Sequence, residues 1–263
     1  MKPYIAILSS RFRTLLQYRA AAIAGVGTQL FFGLVRMMIF DAFYRSTTAD
    51  QPLSHSETVT YIWLGQAFIL LTLFGVDTDV ALMIRNGNVA YEMTRPVDLY
   101  KMWFARALSG RAAPMSMRVV PILVVAGIFF GLTPPASFTA AALFHVSIVG
   151  GLLLGASMVT ILTISMLWTI SGEGISRLAP ALVFIFSGIA VPLPFFPDWL
   201  QPLIAVLPFR GLMDTPFRVY LGHLAGTDAL LAIAHQVLWL LALCMSGKWM
   251  LSIGIRRLVV QGG

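Results

Sequence analysis

Apolar residues fall in long runs along this chain, and polar residues cluster in short stretches between them. Residues 3–19, "PYIAILSSRFRTLLQYR", place Tyr4, Leu8, Phe12 and Leu15 at helical spacing, with Arg11, Arg13 and Arg19 on the remaining surface. That pattern predicts an amphipathic helix lying at a lipid interface, or else a plain continuation of the segment that follows. Six longer apolar runs come next, near 20–44, 58–76, 114–132, 137–170, 176–192 and 228–250. Most approach the roughly 20 residues that a bilayer-spanning helix needs. The expected fold is therefore an all-α integral membrane protein with six transmembrane helices, a single transmembrane domain over 1–263.

One run breaks the pattern. "FSGIAVPLPFFPDWLQPLIAVLPF", Phe186 to Phe209, is apolar enough for a membrane but carries Pro192, Pro194, Pro197, Pro202 and Pro208. Proline removes a backbone donor and clashes with the preceding turn. Non-helical backbone at membrane depth must be buried in protein or face water. The segment 190–226 is thus expected to form short re-entrant helices, with a turn at Pro192, Pro194 and Pro197, a short helix in "DWLQPLIAVL", and Trp199 at the interface. A disordered outer loop is the plainer alternative, and the density of Phe, Leu and Val argues against it.

Basic residues set the orientation. The N-terminus, the stretch from Asp77 to Arg118, the loop around Arg177 and the C-terminal tail hold most of the Lys and Arg. The opposite set holds Arg45, Arg210 and Arg218. Excess Lys and Arg marks cytoplasmic loops, which puts both termini in the cytoplasm. Composition agrees with a membrane protein: 58% of residues are hydrophobic and 11% charged, and the mean hydropathy is +0.84. A soluble domain carries roughly a quarter charged residues. In this setting the net charge of +7 reports topology, with no nucleic-acid partner implied. The single cysteine, Cys244, excludes a disulfide within the chain. The first 45 residues do not read as a cleaved signal, because the leader is long and more spans follow.

Motifs for chemistry are missing. No G-x-x-x-x-G-K-[ST] is present to cradle a nucleotide, and no His, Cys or carboxylate pair has metal-ligand spacing. The chain reads as no enzyme, with no metal and no cofactor of its own. Arg36, Gln66 and His145 are the candidates for a polar pathway through the spans. Arg36 either marks such a pathway or snorkels outward, and His145 reads first as a packed helix residue. "GLLLG" at 151–155 offers a small face for close helix packing.

The stretch 77–113 is the most informative soluble-facing segment. Its helical pattern breaks at "RNGN", resumes as "VAYEM", and stops before Pro96, which biases Arg95 away from helix. A second helix, "VDLYKMWFARAL", follows. Such a basic, aromatic segment suits docking of a soluble partner, or a solvated surface on the inner leaflet.

Together these segments carry a resemblance. "IRNGNVAYEMTRPV", the opening Ser187, Gly188 and Pro192, the continuation "FFPDWLQPL" and the later "LPF" make the chain resemble permease subunits of the ABC type-2 exporter family, in a bacterial subgroup whose ATPase is encoded separately. The resemblance implies a second permease subunit and two ABC ATPase subunits, with ATP and Mg²⁺ bound on the ATPase, in the bacterial inner membrane. It assigns the ATPase contact to Arg85, Asn86, Gly87, Glu92, Arg95 and Pro96, with Glu173 and Arg177 in the second inner loop. It assigns an outer gate to Ser187, Gly188, Pro192, Pro194, Pro197 and Trp199. The expected cargo is a small hydrophobic or cationic compound, with a lipid or glycan carrier as the next candidate. The competing readings are an ATP-independent transporter or channel and a non-transporting membrane scaffold.

Overall fold

The structure is a computed structural model that describes residues 2–72, 75–168 and 173–257. Among the described residues it is helical throughout, without strands. The amphipathic segment forms α1 (Lys2–Leu16), and α2 (Arg19–Ser46) follows after a two-residue break. The next helix, α3 (His55–Ala67), is started by a capping box. Ser54 Oγ accepts from the Glu57 amide at 3.3 Å, and Glu57 Oε2 accepts from the Ser54 amide at 2.7 Å. It ends in one 3₁₀ turn at Ile69–Leu71.

Two short helices, α4 (Thr78–Arg85) and α5 (Val89–Met93), occupy the predicted break-and-resume segment. Gly87 lies between them at φ 70°, in the left-handed region that the "RNGN" turn requires. Then comes α6 (Leu99–Phe130), capped by Asp98, whose carboxylate accepts from the Lys101 amide at 2.9 Å, and ended by Gly131 at φ 65°. The sequence pattern separates a helix near 97–108 from a span at 114–132, whereas the structure runs them as one. Pro114 and Pro121 sit inside this helix. Neighbouring helices tolerate such prolines in membrane segments.

The remaining helices are α7 (Phe138–Ser165), α8 (Glu173–Phe186), α9 (Gln201–Val206), α10 (Asp214–Tyr220) and α11 (Gly226–Gly254). Single 3₁₀ turns at Leu193–Phe195 and Pro208–Gly211 connect α8 to α10. Four helices, α2, α6, α7 and α11, are long and apolar enough to cross a membrane. At 13 and 14 residues, α3 and α8 stand where the second and fifth spans are expected. Each is about 20 Å long, against a hydrocarbon core of about 30 Å.

The most buried of the four long helices, α7, is at the centre: 67% of its apolar window is inside the protein, against 22% or less in the other three. The small residues of "GLLLG" explain why. A Cβ at Gly151 would lie 2.9 Å from the Leu212 carbonyl oxygen, and one at Gly155 would lie 3.0 Å from that of Leu71. The glycines admit backbone from the segment at Gly211 and Leu212 on one level and from the end of α3 on the next. This packing is internal to the subunit.

Candidate functional site

Two regions concentrate the polar side chains: the turn after α8, and the α4–α5 segment.

At the turn after α8, proline removes amide donors, so carbonyls lack their usual helical partners. In an apolar setting those carbonyls need donors from elsewhere. Side chains from distant elements supply them. Arg36 of α2 donates to the Ile189 carbonyl and lies over the Phe184 ring. Gln201 Nε2 donates to the Leu193 and Phe196 carbonyls, each at 2.9 Å. Trp239 Nε1 donates to Val206 at 2.9 Å, and Gln236 Nε2 donates to Gly211 at 2.7 Å. Gln236 is itself held by Ser147, whose hydroxyl donates to Gln236 Oε1 at 3.0 Å.

The centre of this web is Gly188, at φ 92°. A Cβ there would overlap the Tyr61 hydroxyl. Tyr61 in turn donates to Asp214 Oδ1 at 3.0 Å. Asp214 is buried at the head of α10, with Arg218 Nη1 at 3.9 Å from its other oxygen. Burial pushes the Asp214 carboxyl up to about 6, and Arg218, Tyr61 and Arg210 pull it back. Asp214 escaped the sequence reading because it lies in a polar stretch, "RGLMDTPFR", and only tertiary packing buries it. A further clamp joins His223 Nε2 to Glu57 Oε1 at 2.8 Å. Of the proposed gate residues, Ser187, Gly188 and Pro192 are buried, Pro194 is half-buried, and Pro197 and Trp199 are exposed.

The polar-pathway candidates do not meet. Arg36 is committed to the turn after α8, and Gln66 is buried beside Gly33 of α2. His145 is exposed on α7, with Nδ1 2.7 Å from the carbonyl of Ala141 one turn back.

The α4–α5 segment is built on a second buried cluster. Val80 and Val89 pack with Tyr100, Met102, Trp103, Ile164 and Leu251. Asp77 caps α4, accepting from the Asp79 and Val80 amides, while its own amide donates to Thr163 at 2.9 Å. Arg11 and Arg106 bracket the same acids. Arg11 reaches Asp79 at 3.0 Å and Asp77 at 3.4 Å, and Arg106 reaches them at 3.1 and 3.4 Å. Three elements, α1, α4 and α6, are thereby tied at one point. Beside it lies a cavity of about 220 Å³ lined by Arg11, Asp77, Thr78, Arg106 and Arg111, among others. Arg111 donates to the Leu70 carbonyl at 2.6 Å and so closes the end of the 3₁₀ turn after α3. Its place in a charged stretch hid that role.

Among the predicted contact residues, Arg85, Asn86, Arg95 and Pro96 are exposed and Gly87 is half-buried. Glu92 points inward, where its carboxylate accepts from Trp103 Nε1 at 2.9 Å. Leu82, Tyr91 and Met93 are exposed apolar side chains on the same two helices, Tyr91 at 74%. Arg177 is exposed on α8. The side chain of Glu173 lies outside the described residues.

Among curated proteins, none matches this chain. The family comparison does find a match: the ABC-2 family transporter protein pattern covers residues 30–262. That stretch takes in α2 from residue 30 onward, the other three long apolar helices, the α4–α5 segment and the proline-rich turn. The chain belongs to the ABC-2 transporter membrane family and is a multi-pass permease subunit whose family works with ABC ATPases.

Proposed function

We propose that this chain is the permease subunit of an ATP-driven exporter in the bacterial inner membrane. It pairs with a second permease subunit and receives work from ABC ATPase subunits, which bind ATP and Mg²⁺. The chain itself hydrolyses nothing. The observation that carries this reading is the α4–α5 segment. It presents Leu82, Tyr91 and Met93 beside exposed Arg85 and Arg95, on a base bound by ion pairs to α1 and α6. Aromatic and arginine anchors on a rigid base are what a docking surface needs. Motion of a docked ATPase passes through α4 into α6, which runs unbroken from this surface into the membrane.

On this reading six helices cross, with α3 and α8 completed by the turns that follow them, and both termini are cytoplasmic. The excess of basic residues around α1 and α4–α6 supports that orientation. The turn after α8 closes the outer end of the path. Small hydrophobic or cationic compounds are the cargo class, since apolar and Met-rich spans such as "LVRMMIF" adapt to such shapes. Arg85, Asn86, Gly87, Arg95 and Pro96 meet the ATPase, with Glu173 and Arg177 on the neighbouring loop. Glu92 holds α5 against Trp103.

The test is the complex reconstituted in vesicles. Arg95→Ala and Tyr91→Ala should each weaken ATPase binding about tenfold, with transport falling more than basal ATP hydrolysis. Unchanged transport and unchanged ATPase binding in both variants would count against this surface.

A further inference from the structure

The cavity at the junction of α1, α4 and α6 has a wall of unbalanced charge. The guanidiniums of Arg11, Arg106 and Arg111 line its volume of about 220 Å³, against the single carboxylate of Asp77. That carboxylate is fully engaged. Oδ1 accepts from the Asp79 and Val80 amides, and Oδ2 meets both Arg106 and Arg11 at 3.4 Å. Donors are left over. Arg106 places Nε and Nη2 on the two acids, and its Nη1 makes no bond among the described residues. Nε of Arg11 is buried without a partner. The hydroxyl of Thr78, in the first turn of α4, makes no hydrogen bond among the described residues.

Gly110 lines the same cavity. It lies inside α6, where glycine costs about 1 kcal/mol relative to alanine. A Cβ there would meet nothing within 4 Å among the described residues. Helix packing therefore does not call for glycine at 110, as it does at Gly151 and Gly155, and the space stays open beside a wall of donors. Arg111 is fixed in that wall by the Leu70 and Leu71 carbonyls. Guanidinium forks match the spacing of phosphate oxygens, and such charge-assisted bonds are the strong ones. We propose that this cavity binds a phosphate-type oxyanion, held by Arg106, Arg11 and Thr78 in the field of Arg111. Its source is a phospholipid headgroup or free phosphate. Once bound, the anion bridges the same three helices that Asp77 and Asp79 tie together. Binding requires neither ATP coupling nor transport, so the inference can fail while the proposed function stands.

The experiment uses the full chain in mild detergent. In one arm sodium phosphate replaces sodium chloride at constant ionic strength, and the unfolding temperature is followed. In the other, phosphatidylglycerol or phosphatidylcholine is offered and retained lipid is read by native mass spectrometry. A saturable rise in unfolding temperature with phosphate over chloride supports the proposal and marks a free-anion site. Preferential retention of phosphatidylglycerol without that rise supports it and marks a headgroup site. Thr78→Val, which disturbs no ion pair, and Arg106→Gln should each weaken the effect about tenfold. Gly110→Leu should fill the cavity and abolish the effect. Its unfolding temperature without ligand should be no lower than that of the natural chain, since leucine is the better helix former. Two results would overturn the proposal: no preference in either arm, or a preference that persists undiminished in Gly110→Leu.

Discussion

Gly188 is the position at which the turn after α8 is least tolerant of change. Its positive φ and the Tyr61 hydroxyl over its missing side chain both select glycine. Gly188→Ala should cost about 1–3 kcal/mol in backbone strain alone, read as a lower unfolding temperature, and should loosen the Tyr61–Asp214 bond as well. Asp214 gives a pH signature. Its folded value of about 6 stands above the ordinary 3.8, so between those values the folded protein holds more protons than the unfolded one. Stability from this group is therefore greatest below about pH 4, falls as pH rises toward 6, and is level above that. Asp214→Asn should remove that slope, as checked by unfolding temperature across pH 4–7. An unaltered slope would mean that other carboxylates set it. At this scale the sequence was legible where chain chemistry is local. The "RNGN" break and the proline turn follow from backbone rules. Asp214 and Arg111 were not legible, because burial by residues more than 40 positions away leaves no local mark.

At the scale of elements, the junction of α1, α4 and α6 depends on Asp77, which is both helix cap and ion-pair acceptor. Substitution separates the two roles. Asp77→Asn keeps a capping oxygen and loses the charge, whereas Asp77→Ala loses both. The alanine variant should be less stable than the asparagine variant by about 1 kcal/mol, the value of a cap. Equal stability of the two would show that α4 does not depend on its cap. The amphipathic spacing of Tyr4, Leu8, Phe12 and Leu15 was enough to place α1, and Tyr4 indeed faces α6, its hydroxyl accepting from the Asp98 amide at 2.8 Å. The length of α6 was not readable. Arg111 falls between the predicted helix at 97–108 and the span at 114–132, and nothing local shows that its partner is the Leu70 carbonyl. The charged stretch before 114 separated the two predicted helices, whereas the structure continues through Pro114 as one helix. The shortness of α3 and α8 was equally hidden, since an apolar run does not reveal where its helix stops.

For the whole molecule, the two polar regions sit at opposite ends of the helices, and the elements between them form one connected path. The α4–α5 segment leans on α6, which packs on α7. The glycines of α7 receive both the 3₁₀ turn after α3 and the segment at Leu212. Displacement at one end therefore has a packed route to the other. Apolar side chains of α2 and α11, Phe31, Met38, Leu238 and Trp249 among them, are exposed. The central claim is that an ABC ATPase drives this chain through the α4–α5 surface. Its most direct measurement is affinity purification of the tagged chain from native membranes in mild detergent, with mass spectrometry of what accompanies it. The account predicts a P-loop ATPase in stoichiometric amount, lost when Tyr91 and Arg95 are both changed to alanine. A preparation free of any ATPase, under conditions that preserve other membrane complexes, would contradict it.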